Sequence, residues 1–380
     1  MRKICVIGTS RATYGYKRKI LQLLRDDKSV KLNLLITGMH LQKKFGYSVK
    51  DIIKDKIPIT KKIYMNVKNS SDINFILSLS EEMRKIATAI KNINPDILLV
   101  TGDRSEMFIA CFVAVFLNIP VAHIQAGDVS GHIDGNIRHA ITKLSHIHFA
   151  SCLDSKNRVL KLGEERKRVY NVGAPQLDDM KGIKKDKSFL KNFLNSNISS
   201  PCILMMQHPI LIDSNNSGIE ILETLKALEN TNFINIIIYP NFDTGSSAIL
   251  QKIDQYKKKK NFFVFSNLNR TIFLKLLRNV DLLVGNSSCG ILETPSYKVP
   301  TINIGNRQRG RMQALNIINC SPERNQISKA IKYVLSNKKF KKKLNQCRNF
   351  YGDGNSSKRI VKILKAVKLN KQLLDKKITY

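Results

Sequence analysis

At 380 residues, with 43% hydrophobic and 24% charged side chains, the chain has globular composition and room for two domains of ordinary size. No apolar run reaches membrane-spanning length, and the opening MRKICVIGTSR is too short in its apolar part for a signal peptide, so the chain reads as cytoplasmic, with no membrane partner. A net charge of +35, from 64 basic and 29 acidic residues, raises a nucleic-acid partner, but the lysines are dispersed and lack interleaved aromatics.

The charge therefore reads as a compositional bias toward Lys, Ile and Asn, with no nucleic acid bound, although a basic surface would still steer an acidic nucleotide substrate. The seven cysteines are scattered, form no C-x-x-C pair and read as free thiols in a reducing compartment.

Short runs of Val, Ile and Leu recur along the chain with helix-like segments between them. The first series of expected strands is ICVIGTS (4–10), KLNLLITG (31–38), DILLVTG (96–102), VAHIQAG (121–127), IHFAS (147–151) and VYNVG (169–173). The second is CILMMQHP (202–209), INIIIYP (234–240), FFVFSNL (262–268), DLLVGNSS (281–288) and TINIG (301–305). Unbroken apolar strands belong in sheets buried on both faces, and alternation with helices makes those sheets parallel. The fold class is α/β, with two Rossmann-like doubly wound domains facing a cleft. A breaker-rich stretch separates the two series. The division is 1–175 for the first domain, completed by a C-terminal helix within 355–380, and 176–354 for the second. The tail from about 325 reads as helices.

In doubly wound sheets ligands sit at the carboxyl ends of the strands, so the polar residues there are the candidates. GTSRATYG (8–15) offers Arg11, with Gly8 and Gly15 expected to permit a tight turn; it is not G-x-G-x-x-G, and no acidic residue closes the second strand, which argues against a dinucleotide cofactor. VTGDRSE (100–106) presents Asp103 and Arg104 ahead of a helix, where Asp103 could cap that helix or do chemistry. HIQAGDVSGHIDGNIRHA (123–140) carries Asp128 and Asp134 on a glycine-rich turn, with Arg138 and His139 following. Carboxylates converging on a cleft can raise one another's pKa, which suits acid–base work. A metal held by His132, His139, His146 and His148 is the competing idea; their spacing matches no common metal motif, so no metal is expected.

In the second series MMQHPI places His208 at a strand mouth, and YPNFDTGSS presents Asn241 and Asp243 at another. VGNSSCGILETP (284–295) ends a strand in Gly285, Asn286, Ser287 and Ser288 where a helix is expected to begin. Small hydroxyls and unpaired N–H groups at a helix start suit a diphosphate. Glu293 would lie one to two turns into that helix, where it could accept from a ribose. GNRQRGR then brings Arg307, Arg309 and Arg311 to the next strand end, and arginine binds phosphate bidentately. The residues alone thus describe one domain gripping a sugar nucleotide and another presenting carboxylates to the sugar.

Taken together, GTSRATYG, TGDR, HIQAGDVSGHIDGNIRHAITKLSHIHF, YPNFDTG, GNSSCGILETP, NIGNRQRGR and YGDGNSS make a chain that resembles the hydrolysing UDP-N-acetylglucosamine 2-epimerases of sialic and legionaminic acid synthesis, from about residue 3 to 365. The resemblance implies the two-domain glycosyltransferase-B fold. It also implies elimination of the nucleoside diphosphate across C1 and C2 of the sugar, then water addition to give the free sugar inverted at C2. UDP-GlcNAc giving ManNAc is the simplest case, and a UDP-2,4-diacetamido-2,4,6-trideoxyhexose the other. No cofactor is implied, and the family suggests a homodimer or homotetramer.

Carried over by motif, Asp103 and Asp134 fall where the family has catalytic carboxylates, and Arg11, Arg104, His208, Asn241, Asp243, Ser287, Ser288, Glu293 and Arg307 on its nucleotide-binding positions. His208 would help the phosphate leave. The departure is Gln125: the family commonly reads H-I-E-G-G-E where this chain reads H-I-Q-A-G-D, and an amide cannot accept the C2 proton. Either Asp128 or Asp134 takes that role, or the sugar differs, or activity is reduced. A glycosyltransferase of the same fold and a non-catalytic nucleotide-sugar-binding protein are the alternative functions.

Overall fold

A computed structural model describes residues 1–43, 46–65, 72–129, 134–186, 188–210, 215–240 and 245–380. The chain divides into two compact units. The first holds Met1–Val129, the described residues up to Asp179, and Tyr351–Tyr380; the second holds Met180–Phe350.

The first unit is built on a seven-stranded sheet. Its strands are β1 (Arg2–Gly8), β2 (Val30–Ile36), β3 (Lys61–Lys62), β4 (Ile97–Thr101), β5 (Val121–Ile124), β6 (Ile147–Ala150) and β7 (Val169–Asn171), in the order β3-β2-β1-β4-β5-β6-β7. Every pairing is parallel. β4, β5 and β6 are buried along their whole length, as their continuous apolar sequences require of a sheet covered on both faces. Helices Arg11–Asp26, Asp72–Ile93, Ser105–Phe116 and Asp134–Leu144 supply crossovers. From the last segment of the chain, Ile360 and Leu364 join Ile4, Leu21 and Leu99 in one fully buried core.

The second unit repeats the plan with β8 (Cys202–Met206), β9 (Ile234–Ile238), β10 (Phe262–Phe265), β11 (Leu282–Gly285), β12 (Thr301–Ile304) and β13 (Ile317–Cys320), ordered β10-β9-β8-β11-β12-β13 and all parallel. In each sheet the strand order reverses once, between β1 and β4 and between β8 and β11. Neighbouring crossovers diverge there and open a crevice at the carboxyl ends, the position where such sheets take ligands.

Several expected strands end early for a common reason. Gly102, Gln125 and Gly285 have φ of 79°, 66° and 134°, which turn the chain out of the ladder. Gly285 is also obligatory for space: a Cβ there would lie 2.1 Å from the Met206 carbonyl oxygen on the neighbouring strand. Two strands lie outside the expected series. β3 is a pair of exposed lysines with no alternation to see, and β13 is a short run behind an arginine-rich loop. Gly15 forms no turn; it lies within helix Arg11–Asp26, whose start is fixed by a capping box between Ser10 and Thr13.

That helix carries Lys17, fully buried, with its ammonium donating to the Ile7 carbonyl. Burial drives its pKa down to about 7, since the charged form loses its water. In an unfolded chain the amine titrates near 10.5, so between these values the unfolded state binds more protons and stability rises with pH. Lys17→Met is therefore expected to raise stability by on the order of 2–4 kcal/mol at pH 7, with the gain shrinking toward pH 10. Urea unfolding at both pH values checks this.

Candidate functional site

In the first unit the carboxyl ends of β4 and β5 are tied together from a third element. Arg138, on helix Asp134–Leu144 and 3% exposed, donates through Nη2 to the Asp103 carboxylate and lies 3.4 Å through Nη1 from the Gln125 carbonyl. Asp103 does not cap the helix that follows it: the N-cap is Arg104, with no side-chain cap hydrogen bond. Between the two strand ends lies the Gly102 peptide. His123 Nε2 reaches the Gly102 carbonyl at 2.8 Å while its Nδ1 lies 3.2 Å from Thr142 Oγ1. Burial, reinforced by Arg138, pushes that imidazole down to about 3, so it is neutral and serves as a strut. The Gln125 side chain lies over Gly102, its Oε1 3.3 Å from where a Cβ would stand.

Gln125 is buried and left-handed, an unusual conformation for a residue with a long side chain. Such backbone persists only where its surroundings hold it, and strain of about 1–3 kcal/mol of this kind collects at functional sites. The Arg138 contact to its carbonyl and the Asp128 N–H to the same oxygen at 3.4 Å supply that hold.

Asp128 is placed differently from Asp103. Its two carboxylate oxygens accept from Ser151 Oγ at 3.0 Å and Ser155 Oγ at 2.6 Å, both on the β6 side, and the group is 4% exposed. Just ahead of it Gly127, at φ 73°, passes so close to the Ser155 carbonyl that a Cβ would sit 2.2 Å away. Asp128 thus staples the turn to the helix Leu153–Lys161. Asp134 is the first residue of helix Asp134–Leu144 and Arg11 the first of helix Arg11–Asp26; the side chains of both lie outside the described part of the structure. Positions 134 and 138 are one turn apart and share a helix face. The sequence shows Arg138 without giving it a role; its i, i+4 spacing from Asp134 is the signal that points to one.

Of the histidines weighed as metal ligands, His146 and His148 are engaged in packing. His146 Nδ1 accepts the Val121 N–H at 3.1 Å, and His148 Nε2 lies 2.9 Å from the Glu164 carboxylate. His132 lies outside the described residues. Among the described residues no group of three His, Cys, Asp or Glu side chains is placed to hold a metal ion.

In the second unit Asn286 is the node. Its Oδ1 accepts the His208 N–H at 2.7 Å and its Nδ2 donates to the His208 carbonyl at 2.8 Å, joining the ends of β8 and β11. The Asn286 carbonyl accepts from Gln308 Nε2 at 2.8 Å and lies 3.3 Å from Arg307 Nη1, bringing in the loop after β12. Burial and the Arg307 charge push His208 down to about 3, so near neutrality its imidazole is uncharged. Ser287 Oγ accepts from Cys289 Sγ at 3.2 Å, and Ser288 is the N-cap of a four-residue helix, Cys289–Leu292. The expected single helix is instead two short ones, the second being Thr294–Tyr297 with Pro295 in its first turn, and Glu293 stands at the junction. Glu293 is buried and ion-paired with Arg270 at 2.5 Å. Asn241 and Asp243 lie outside the described residues.

The sequence profile of the UDP-N-acetylglucosamine 2-epimerase family matches residues 22–365. The chain belongs to this family. An epimerase of Legionella pneumophila named UDP-N,N'-diacetylbacillosamine 2-epimerase (hydrolyzing) is 32% identical over 99% of both chains. The GDP/UDP-N,N'-diacetylbacillosamine 2-epimerase (hydrolyzing) of Campylobacter jejuni is 34% identical over 90% of this chain and 89% of its own. Among solved structures, the epimerase of Neisseria meningitidis bound to UDP-GlcNAc superposes with a TM-score of 0.81 at 20% identity, covering 96% of this chain and all of that one, which shows a shared glycosyltransferase-B-type fold.

For this epimerase the two aspartates are expected to separate cleanly. Asp128→Asn costs about 1–3 kcal/mol of stability through its serine bonds and leaves kcat within a few-fold. Asp103→Asn removes the carboxylate that Arg138 holds at the end of β4 and with it turnover of a UDP-sugar. Urea unfolding with a coupled assay for released UDP checks both.

Proposed function

We propose that the epimerase cleaves a UDP-linked 2-acetamido sugar with water, releasing UDP and the free sugar inverted at C2. The family match across residues 22–365 carries the epimerase part of this reading, and two relatives named as hydrolyzing 2-epimerases, 32% and 34% identical, support the hydrolytic part. The substrate we favour is UDP-linked 2,4-diacetamido-2,4,6-trideoxyglucose, since two relatives bearing the name of that sugar align over nine-tenths or more of the chain. UDP-GlcNAc is the comparison substrate. The free sugar would feed synthesis of a nine-carbon sugar acid in the cytoplasm, and the enzyme would work as a homodimer or homotetramer. Among the described residues no helix is long and apolar enough to cross a membrane.

The chemistry asks for three things: a group to take the C2 proton, help for the departing diphosphate, and stabilisation of positive charge growing at C1. In this reading Asp103, fixed by Arg138, faces the growing charge at C1. Asp134, at the head of the same helix, exchanges the proton at C2, because the Gln125 amide cannot. Ser287, Ser288 and Arg307 hold the diphosphate, and the neutral His208 ring donates to the leaving oxygen as a hydrogen-bond donor without carrying charge. Glu293, Asn241 and Asp243 complete the nucleotide site of the second unit, and Arg11 and Arg104 are sugar-nucleotide contacts.

Incubating the protein with each UDP-sugar in deuterated water tests the reading by NMR. Free UDP, a C2-inverted free sugar and deuterium at C2 are expected; product without deuterium at C2 overturns the elimination route, and no UDP release overturns the function. UDP released only when an acceptor sugar is added supports a transferase instead. Asp134→Asn is expected to abolish turnover while UDP still binds. Gln125→Glu is expected to raise turnover of UDP-GlcNAc if the amide tunes the pocket for another sugar.

A further inference from the structure

Helix Ser105–Phe116 carries in its first turn a carboxylate, the last residue of VTGDRSE, that has been given no role above. The Glu106 side chain is buried, and its Oε2 lies 3.2 Å from Arg104 Nε and 3.4 Å from Ser105 Oγ. Its Oε1 occupies the space beside Gly38, only 2.6 Å from where a Cβ would project, and Gly38 has φ 58°. Residue 38 must therefore be glycine for Glu106 to reach Arg104. The preceding residue, Thr37, donates its hydroxyl to Glu82 Oε1, on helix Asp72–Ile93. Glu82 is 1% exposed, and its Oε2 is buried without a hydrogen-bond partner among the described residues. Two buried carboxylates thus flank a single peptide, Thr37–Gly38, and Glu106 is the one that holds a guanidinium.

We infer that Glu106 is a positioning residue that aims the Arg104 guanidinium at the substrate, and that Glu82 is its protonated neighbour, whose ionisation weakens that aim. This rests on the reading of Arg104 as a sugar-nucleotide contact. A carboxylate gripping Nε orients the fork of an arginine, and the fork then meets a phosphate or sugar oxygen with its geometry already set. A second buried carboxylate beside the first would oppose it unless it kept its proton. The unpartnered Oε2 of Glu82 is where that proton sits.

Burial and, after it, the Glu106 charge push Glu82 up to about 7, while the Thr37 hydroxyl, Arg104 and Lys85 act the other way. Those are the groups that face it: Glu106 and Arg104 from the start of helix Ser105–Phe116, Thr37 from the end of β2, and Lys85 from its own helix. As pH rises through 7 the proton leaves. A second negative charge then competes for Arg104 and repels an anionic substrate. The same proton also sets stability. A carboxyl whose folded pKa exceeds its unfolded value contributes stability that is fully present below the unfolded pKa and lost as pH rises to the folded one, so on this account the wild type weakens between about pH 4.5 and 7 and is level above.

The test measures KM and kcat for the UDP-sugar, calorimetric UDP affinity and melting temperature from pH 6 to 9, for wild type, Glu106→Gln and Glu82→Gln. Glu106→Gln is expected to raise KM and the UDP Kd about tenfold with kcat within about threefold, the pattern of lost binding orientation. Wild-type KM and Kd are expected to rise several-fold between pH 6 and 9, and those of Glu82→Gln to stay level. The melting temperature, followed down to pH 4.5, should climb for Glu82→Gln relative to wild type by a few degrees as pH rises to 7 and stay level above it. A folded Glu106→Gln with KM and Kd within twofold of wild type overturns the inference, as does a Glu82→Gln profile that superimposes on wild type. Should Glu106→Gln fail to fold, the Glu82→Gln profiles decide. If UDP affinity follows the expected pattern but no sugar is turned over, the functional reading fails and this inference stands; if sugar is turned over but the affinities stay flat, the inference fails and the functional reading stands.

Discussion

A guanidinium cannot shed its charge, so an arginine that solvent barely reaches must be met by protein groups on several sides. Arg138 is in that position, and what meets it is the working edge of the first sheet. The Asp103 carboxylate fixes the end of β4, and the Gln125 carbonyl fixes the end of β5. Because Arg138 sits one turn into its helix, the same contacts set the height and rotation of that helix, and with them the placement of Asp134. His123 braces the peptide between the strands from below. The left-handed Gln125 is tolerated only inside this frame. Loss of the Arg138 charge would therefore release two strand ends and a helix together.

The second unit solves a similar problem without a net charge. Asn286 offers one acceptor and one donor from its side chain to the backbone of His208, and its carbonyl gathers Arg307 and Gln308. Gly285 lets β11 pass close enough to β8 for these short bonds to form. An amide node stays neutral, so it adds no negative charge where a diphosphate is to bind. The difference between the two edges matches the work proposed for them: carboxylates for the sugar, donors for the phosphates.

Much of this is readable from the residues. Strand composition marks eleven of the strands because a sheet covered on both faces needs continuous apolar runs, a one-dimensional signal. β3 escapes because two exposed lysines on a sheet edge carry none. The broken helix around Glu293 can be anticipated from Pro295, but the ion pair with Arg270 cannot, since 23 positions separate the partners. The distinction between Asp103 and Asp128 is also out of reach. Both are aspartates just beyond a strand, and only the third dimension shows that one meets an arginine and the other two serines. Glu106 is hidden for a similar reason: its meaning lies in Gly38 and Glu82, which come from other elements.

The C-terminal segment has a consequence for how this protein is made. Residues Ile360 and Leu364 complete the core that Ile4 and Leu21 begin, so the first unit lacks part of its interior until the last helices leave the ribosome. The second unit, a continuous stretch, can close before then. Parallel sheets with long sequence separations fold slowly and expose apolar edges while they wait. During synthesis the amino-terminal half would be a client for chaperones that shield such edges, and release would be timed by the arrival of helix Ser356–Ala366.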